Sequence, residues 1–255
     1  MKRRPFIVAI LVTALSGCEA RQLNLVPPSL GSLVDTQAVS EENIEQAFTK
    51  RPGVKPGVNL GVVYIPSEND VPVPHTISLD ERREWQTLLQ DDFFIKDVVF
   101  LSTLYSPTAT IRDVRVLRKS AAALNCELLL IYSVSYDYGR QPNPLAFLYL
   151  TIVGMFIFPG DTITAGSMAK AAVLDVRTGY VYGVVEDKDQ YTMVIPIAWL
   201  QGSLPSMFEL AAARAIGKMR DALKPLIERL RNEAVDSSQP HAAKPGAPSP
   251  SAVGK

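Results

Sequence analysis

The order of strand-like runs and helix-start signals constrains the fold of this 255-residue chain most strongly. Short runs rich in valine, isoleucine, leucine and aromatic residues predict five strands, at residues 60–65, 97–101, 127–136, 168–176 and 180–185. Helix-length segments separate the first three runs, which favours parallel pairing through right-handed crossovers. The sequence therefore predicts an α/β fold: a mixed sheet with three largely parallel strands, an added antiparallel hairpin, helices packed on the sheet and a long C-terminal helix.

Three helix starts are marked by a serine or threonine followed three residues later by an acidic residue, the pattern of a capping box. The pairs are Ser78 with Glu81, Thr110 with Asp113 and Ser206 with Glu209. They predict helices over about 79–90, over about 111–124 and from 206 onward, the last with an apolar stripe at helical spacing. Pro225 should kink or end that third helix, because an interior proline costs ~3 kcal/mol.

Four single residues have specific local predictions. Asn125 suits a left-handed stop after the second helix. Gly179 suits the turn of the hairpin, and Asp175 should accept a hydrogen bond from the amides of that turn. Cys126 opens an apolar strand and is predicted to be a small buried hydrophobe rather than a reactive thiol.

The N-terminus has the three regions of a secretory signal. Residues 2–4 are basic, residues 6–15 are apolar apart from one threonine, and small residues precede Cys18. The apolar run is shorter than the ~20 residues that a membrane-spanning helix needs. Leu15-Ser16-Gly17-Cys18 resembles the lipobox of bacterial lipoproteins, in which the cysteine is lipidated and becomes the mature N-terminus. An ordinary cleaved signal peptide and an N-terminal membrane anchor are the alternative interpretations.

The composition divides the chain into four parts: a lipoprotein signal peptide at 1–17, a tether at 18–39, a single α/β domain at 40–232 and a disordered Pro/Ala/Ser tail at 233–255. Two or more acyl chains on Cys18 would anchor the protein stably. The next residue is Glu19 and not the aspartate that retains lipoproteins at the inner membrane. We therefore expect a lipid anchor in the outer membrane, with the domain facing the periplasm.

Charge and residue content argue against several functional classes. Loss of residues 1–17 removes three of the 26 basic residues and none of the 26 acidic ones, so the mature net charge is near −3, with no electrostatic case for a nucleic-acid partner. The two histidines, His75 and His241, do not form a metal site with Cys126 on spacing alone. No glycine-rich phosphate loop follows the first strand, and no Gly-x-Ser-x-Gly motif occurs. We expect no enzyme activity, no cofactor and no metal.

Residues 145–158 form a run of fourteen residues without a charge, LAFLYLTIVGMFIF. As a helix the run would span about 21 Å, short of the ~30 Å hydrocarbon layer, and it lacks the alternation of a membrane β-hairpin. Burial inside the domain or against a second copy is one interpretation, and a place in the lipid headgroup region beside the acyl anchor is another. The candidate interaction residues are Leu145, Leu148, Leu150, Gly154, Phe156 and Phe158, with Gly154 allowing a close helix approach.

Four blocks of the sequence resemble the middle of the rhombotarget lipoprotein family: residues 128–136, 148–154, 158–160 and 171–176. Members of that family are bacterial lipoproteins of similar length with a lipobox and no known activity. The resemblance implies a lipid-anchored envelope protein. Substrates of rhombosortase, a sorting enzyme associated with this family, end in a glycine-rich, hydrophobic and basic sorting signal. Residues 249–255 lack such a signal. More loosely, the order of elements is similar to the curli-secretion-channel and TolB N-terminal folds, which bears on fold and not on function.

These observations predict a lipid-anchored periplasmic binding or assembly module that works through protein contacts or self-association. Two other functional classes remain open. In the first, the chain is a subunit of an oligomeric export channel, with residues 145–158 inserting into the membrane or lining a ring. In the second, it is an envelope enzyme.

Overall fold

A computed structural model describes residues 23–28, 30, 52–67, 77–90, 93–101 and 113–238. These residues contain one five-stranded mixed sheet in the order β2-β1-β3-β4-β5. The strands are β1 (Val58–Tyr64), β2 (Ile95–Phe100), β3 (Leu128–Pro142), β4 (Asp161–Asp175) and β5 (Val181–Ile195). β1 pairs in parallel with β2 and β3, whereas β3 with β4 and β4 with β5 are antiparallel. The predicted fold class is confirmed.

Helices cover both faces of the sheet. On one face lie α1 (Leu79–Leu89) and the long α4 (Leu200–Ser238), with their buried side chains in the same core cluster as the inward side chains of all five strands. On the other face, α2 (Val114–Ala123) shares a second cluster with Leu129 and Leu174. Because β1 is covered on both sides, its sequence is apolar apart from Asn59, whereas β2 at the sheet edge carries the exposed residues Lys96 and Asp97.

The helix starts agree with the sequence in part. Ser78 caps α1, and its Oγ accepts from the backbone N–H of Glu81 at 3.1 Å, as predicted. The second predicted capping box, Thr110 with Asp113, is wrong. Asp113 is itself the N-terminal cap of α2, and its side chain accepts from the Arg115 backbone N–H at 2.9 Å. The predicted cap, Thr110, lies outside the described residues. Asn125 has φ of 54°, which confirms the left-handed stop.

The third predicted capping box, Ser206 with Glu209, is also wrong, because α4 starts before it. The helix begins at Leu200, and the Ser206 hydroxyl donates to the Ser203 carbonyl at 2.9 Å from within the helix. A serine inside a helix bonds back in this way when the chain on its N-terminal side is already helical. Here Leu200 and Leu204 pack against the main core, which favours an earlier start.

The end of α4 is also later than predicted. Pro225 does not end the helix, because the burial of Leu226 and Leu230 just beyond it is worth about 1.5–3 kcal/mol for each side chain and exceeds the cost of one proline. The predicted tail boundary at 233 therefore falls inside the helix. Ala234 is fully buried, and the Ser237 hydroxyl donates to the Val54 carbonyl at 2.9 Å. Residues 239–255 lie outside the described residues.

The β4–β5 hairpin has the predicted turn. The Asp175 carboxylate accepts from the Thr178 backbone N–H at 2.6 Å and from its hydroxyl at 2.8 Å, while Gly179 has φ of +75°. Cys126 is buried as predicted, and burial raises the pKa of its thiol to about 11. No helix within the described ranges has the length and hydrophobicity to cross a membrane.

Candidate interaction surface

The charge-free run forms the connection between β3 and β4. It folds as a 3₁₀ helix, Pro144–Leu150, followed by the short helix α3, Ile152–Ile157. We call residues 144–158 the apolar lobe. β3 and β4 remain paired as far as Pro142 and Asp161, so the apolar lobe projects from the end of these two strands.

Of the interpretations of this run, burial inside the domain is wrong, and the exposure of the run does not test burial against a second copy or a place in the lipid headgroup region. Leu150 is 91% exposed and Ile152 80% exposed, and most of the other large apolar side chains of the lobe are exposed as well. The exposed set is Leu145, Phe147, Leu150, Ile152, Val153, Met155, Phe156, Ile157 and Phe158. The main core is built between the sheet and the helices, and the lobe lies beyond the point where the sheet ends. Of the candidate residues, Leu148 is half-buried and Gly154 is buried.

The neck of the lobe is closed by Asn143. Its side-chain oxygen accepts from the Leu145 backbone N–H at 2.9 Å and caps the 3₁₀ helix. Its side-chain nitrogen donates to the Pro159 carbonyl at 2.7 Å, and its own backbone N–H donates to the Gly160 carbonyl at 2.8 Å. One residue therefore joins both ends of the lobe.

The two helices of the lobe meet at Thr151. Its hydroxyl donates to the Leu148 carbonyl at 3.0 Å and accepts from the Gly154 N–H at 3.0 Å. A Cβ at Gly154 would lie 1.9 Å from the Leu148 carbonyl oxygen. The close approach at this glycine is therefore to the backbone of the lobe itself.

Tyr149 connects the lobe to the rest of the domain. Its hydroxyl oxygen accepts from the Gly160 N–H at 2.8 Å and from the Ile197 N–H at 3.2 Å. Ile197 begins the 3₁₀ helix Ile197–Trp199, which joins β5 to α4. Burial, followed by a hydrogen bond with Asp161, raises the pKa of Tyr149. Sequence reasoning missed this residue, although it is the only side chain of the run besides Thr151 with a polar group.

An ion pair and an aromatic side chain border the lobe. Arg140 donates twice to the Asp161 carboxylate, at 2.7 and 3.2 Å, and the Asp161 side chain is buried. Trp199 lies in the 3₁₀ helix that contacts α3 and is 61% exposed. The exposed apolar surface therefore extends beyond the predicted run, which the sequence did not indicate.

A second feature near the lobe is the N-terminal segment formed by residues 23–28 and 30, which belong to the predicted tether. Leu30 belongs to the core cluster that contains Leu129. Ser135 donates to the Val26 carbonyl at 2.7 Å, and the Asn24 N–H donates to Asp137 at 2.7 Å. The segment thus lies along β3 and runs opposite to it, so that its N-terminal end is the end nearer the apolar lobe.

The described residues also contain one buried polar cluster within the main core. The Tyr132 hydroxyl donates to the Glu81 carboxylate at 2.8 Å, and the indole N–H of Trp85 donates to the same oxygen at 3.4 Å. Burial and the Glu81 charge raise the pKa of Tyr132. These two hydrogen bonds give the buried Glu81 carboxylate its donors, and the bond from Tyr132 links α1 to the sheet.

Cys18, His75 and His241 lie outside the described residues. Within the described ranges, no group of three or more His, Cys, Asp or Glu residues is arranged to hold a metal ion. The lipidation of Cys18 and the expectation of no enzyme activity stay predictions.

Comparisons with known proteins give only weak likenesses. No family model matches the chain, and no curated protein matches it. Among solved structures, a PelC dodecamer from Paraburkholderia phytofirmans, crystallised as a point variant, is similar at 17% identity and a TM-score of 0.30, over 69% of this chain and 92% of that chain. Lipoprotein GNA1162 from Neisseria meningitidis is similar at 17% identity and a TM-score of 0.30, over 61% and 99%.

A hypothetical protein from Chlamydia trachomatis, CT253, is similar at 8% identity and a TM-score of 0.33, over 67% of this chain and 98% of that chain. TM-scores this low assign neither a family nor a function to the chain. The resemblance to rhombotarget lipoproteins therefore stays a prediction from the residues.

Proposed function

We propose that this chain is a lipid-anchored lipoprotein of the bacterial cell envelope that acts as a binding or assembly module through protein contacts. The observation that carries the proposal is the exposed apolar lobe. Soluble domains rarely expose large contiguous apolar patches, and those that do use them to contact proteins or membranes. No catalytic step forms part of the proposed function.

The construction of the lobe supports a role in docking. Asn143 closes its neck, Thr151 joins its two helices and Tyr149 attaches it to Gly160 and Ile197. A surface held in one conformation loses less entropy when it is covered by a partner, and so binds more tightly than a mobile loop of the same composition.

The N-terminal residues supply the second half of the proposal. Cys18 follows the lipobox-like Leu15-Ser16-Gly17, and lipid on its sulfur would hold the domain at the membrane, with the outer membrane as the expected location. A tethered domain meets other membrane components at a high effective concentration, so weak individual contacts become effective.

The anchor is tested by labelling cells with an alkyne-modified fatty acid and by mass spectrometry of the mature N-terminal peptide. We expect label on Cys18, loss of label in Cys18→Ala, and full label in the control Cys126→Ala. An unmodified thiol at residue 18, or a mature chain that starts elsewhere, would refute the anchored function.

The binding role is tested by crosslinking in intact cells. Wild type should form discrete protein adducts that weaken in Phe147→Ser/Phe156→Ser and in Cys18→Ala. The matched control, Leu124→Ser/Val184→Ser, changes two exposed apolar side chains outside the lobe and should leave the adducts unchanged. Adducts that are identical in all four proteins would show that neither the lobe nor the anchor contributes to binding.

A further inference from the structure

We infer that the apolar lobe docks into the surface of a lipid bilayer, beside the lipid on Cys18. The domain then contacts the membrane through the end of the sheet from which the lobe projects. This inference rests on the proposed lipid anchor and names what covers the lobe. Protein partners would then contact the faces of the domain that remain in solution, and the lobe would support those contacts by fixing the orientation of the domain. Loss of that orientation would be the reason why the lobe variant forms fewer protein adducts.

The distribution of exposed side chains in α3 indicates lipid. Ile152, Val153, Phe156 and Ile157 are each more than half exposed. Successive residues of an α-helix point about 100° apart, so these four side chains span about 140°, and Met155, which is also exposed, widens the exposed apolar arc to about 200°. A helix that docks into a protein groove presents one apolar stripe of about 100° and has polar residues on its other side. The exposed arc of α3 is wider and contains no polar residue, which suits an apolar surrounding such as lipid.

Charge and size agree with a shallow position in the bilayer. The lobe contains no charged residue, and the nearest ones along the chain, Arg140 and Asp161, are paired with each other at its neck. Six residues of α3 span about 9 Å, far less than the ~30 Å hydrocarbon layer, so the lobe is too small to enter the bilayer deeply. Trp199 lies exposed beside α3, and tryptophan is enriched at the level of the lipid headgroups.

The path of the N-terminal segment favours lipid over a second copy or a partner protein. Asn24 bonds to Asp137, and β3 continues for five more residues, or about 17 Å, to the neck of the lobe at Pro142. Cys18 lies six positions before Asn24, and an extended chain of six residue steps reaches about 20 Å. An acyl chain on Cys18 therefore reaches the plane of the lobe, at the end of the domain where the lobe projects.

The two attachments together have a mechanical consequence. Lipid on Cys18 alone attaches the domain to the membrane at one point, and a single point of attachment does not set its orientation. The lobe adds a second contact at a fixed place on the sheet, which sets the orientation of the domain. The β5 edge and the α1–α4 face would then be displayed to neighbouring proteins in a constant direction.

The test uses the mature chain from residue 18 with Cys18→Ser, so that no acyl chain contributes, and neutral phosphatidylcholine vesicles. The chain has two tryptophans, of which Trp85 is fully buried and Trp199 is 61% exposed. We expect the protein to float with the vesicles, the Trp199 emission to shift to shorter wavelength, and brominated acyl chains to quench it. Because the lobe is uncharged, binding should persist at high salt.

Phe147→Ser/Phe156→Ser should need at least about tenfold more lipid for the same bound fraction, since two exposed aromatic side chains are lost from the contact. Leu124→Ser/Val184→Ser should bind as wild type does. Far-UV circular dichroism and urea midpoints show whether each variant is folded. Trp199→Phe should abolish the spectral change while flotation persists.

Failure to float, with unchanged Trp199 emission, would overturn the inference. If the same protein then sediments as an oligomer that Phe147→Ser/Phe156→Ser dissociates, a second copy covers the lobe; if it is a monomer, a partner protein does. Fatty-acid labelling separates this result from failure of the proposed function. A lipidated Cys18 without vesicle binding refutes only the membrane docking of the lobe, whereas an unlipidated Cys18 refutes the anchored function.

Discussion

Replacing Tyr149 with phenylalanine removes one oxygen atom and leaves the apolar surface of the lobe unchanged. That oxygen accepts from two backbone N–H groups, at 2.8 Å from Gly160 and at 3.2 Å from Ile197. A buried donor that loses its acceptor costs about 1–3 kcal/mol, while an exposed one costs little because water replaces the acceptor. The buried Gly160 N–H keeps a second acceptor, the Phe158 carbonyl at 2.9 Å, and Ile197 is half-buried, so we expect a loss near the lower limit, about 1 kcal/mol.

Two measurements report this loss in different ways. Urea unfolding should show a lower midpoint with an unchanged slope, since the surface exposed on unfolding is the same. Hydrogen exchange should accelerate by about fivefold at the Ile197 amide, the factor that corresponds to about 1 kcal/mol, and by less at the Gly160 amide, which keeps its bond to the Phe158 carbonyl. The exchange of central β4 amides should change only as far as global stability changes.

Tyr191→Phe is the matched control. The Tyr191 ring lies beside Arg214, with 5.6 Å between the guanidinium carbon and the ring centroid, and this contact persists without the hydroxyl. The free energy of unfolding of the Tyr191→Phe variant should differ from that of wild type by less than about 0.5 kcal/mol. Equal midpoints and equal exchange rates in the two variants would refute the claim that the Tyr149 hydroxyl holds the lobe to the domain.

Three further outcomes follow from the structure. Gly154→Ala places a Cβ 1.9 Å from the Leu148 carbonyl oxygen, so exchange of the lobe amides should rise while that of β4 is unchanged, as measured by mass spectrometry of peptides. Tyr132→Phe removes the 2.8 Å donor to Glu81 and should lower the free energy of unfolding by about 1–3 kcal/mol in urea. Cys126, with a pKa of about 11, should react with thiol reagents at pH 8 only as the protein unfolds. Because the folded pKa of this thiol lies above its unfolded value, its contribution to stability is complete below about pH 9 and is lost as the pH rises toward 11.

Each of these three predictions would be contradicted by a specific result. Unchanged exchange in the Gly154 variant would show that the lobe accommodates a methyl group without rearrangement. An unchanged midpoint in the Tyr132 variant would mean that Glu81 keeps its stability without that donor. Rapid labelling of native Cys126 at pH 8, at a rate independent of urea, would contradict its burial in the second core cluster.

Local features of the fold could be predicted because their partners lie a few residues away in the chain. Ser78 accepts from a backbone N–H three residues on. Asp175 accepts from an N–H three residues on, and Asn125 adopts its left-handed conformation next to the helix that it ends. Such interactions are decided by residue type and spacing, which a sequence displays directly.

Strand and helix limits were harder to predict because they depend on distant segments. The first half of β4 consists of small and polar residues apart from Ile163, and it becomes a strand by pairing with β3 and β5. Ser206 had the pattern of a cap, yet packing of Leu200 and Leu204 against the core extends α4 beyond it. A local signal yields when burial elsewhere along the segment is worth more free energy.

The sequence by itself determined that residues 145–158 are apolar and charge-free, because composition is a property of the chain alone. The tertiary structure decided that most of this run is exposed, because burial depends on which segments extend past the end of β3 and β4. It also decided that Tyr149 holds the run in place, since its partners Gly160 and Ile197 lie 11 and 48 residues away. Contacts at such separations exist only after the chain has folded.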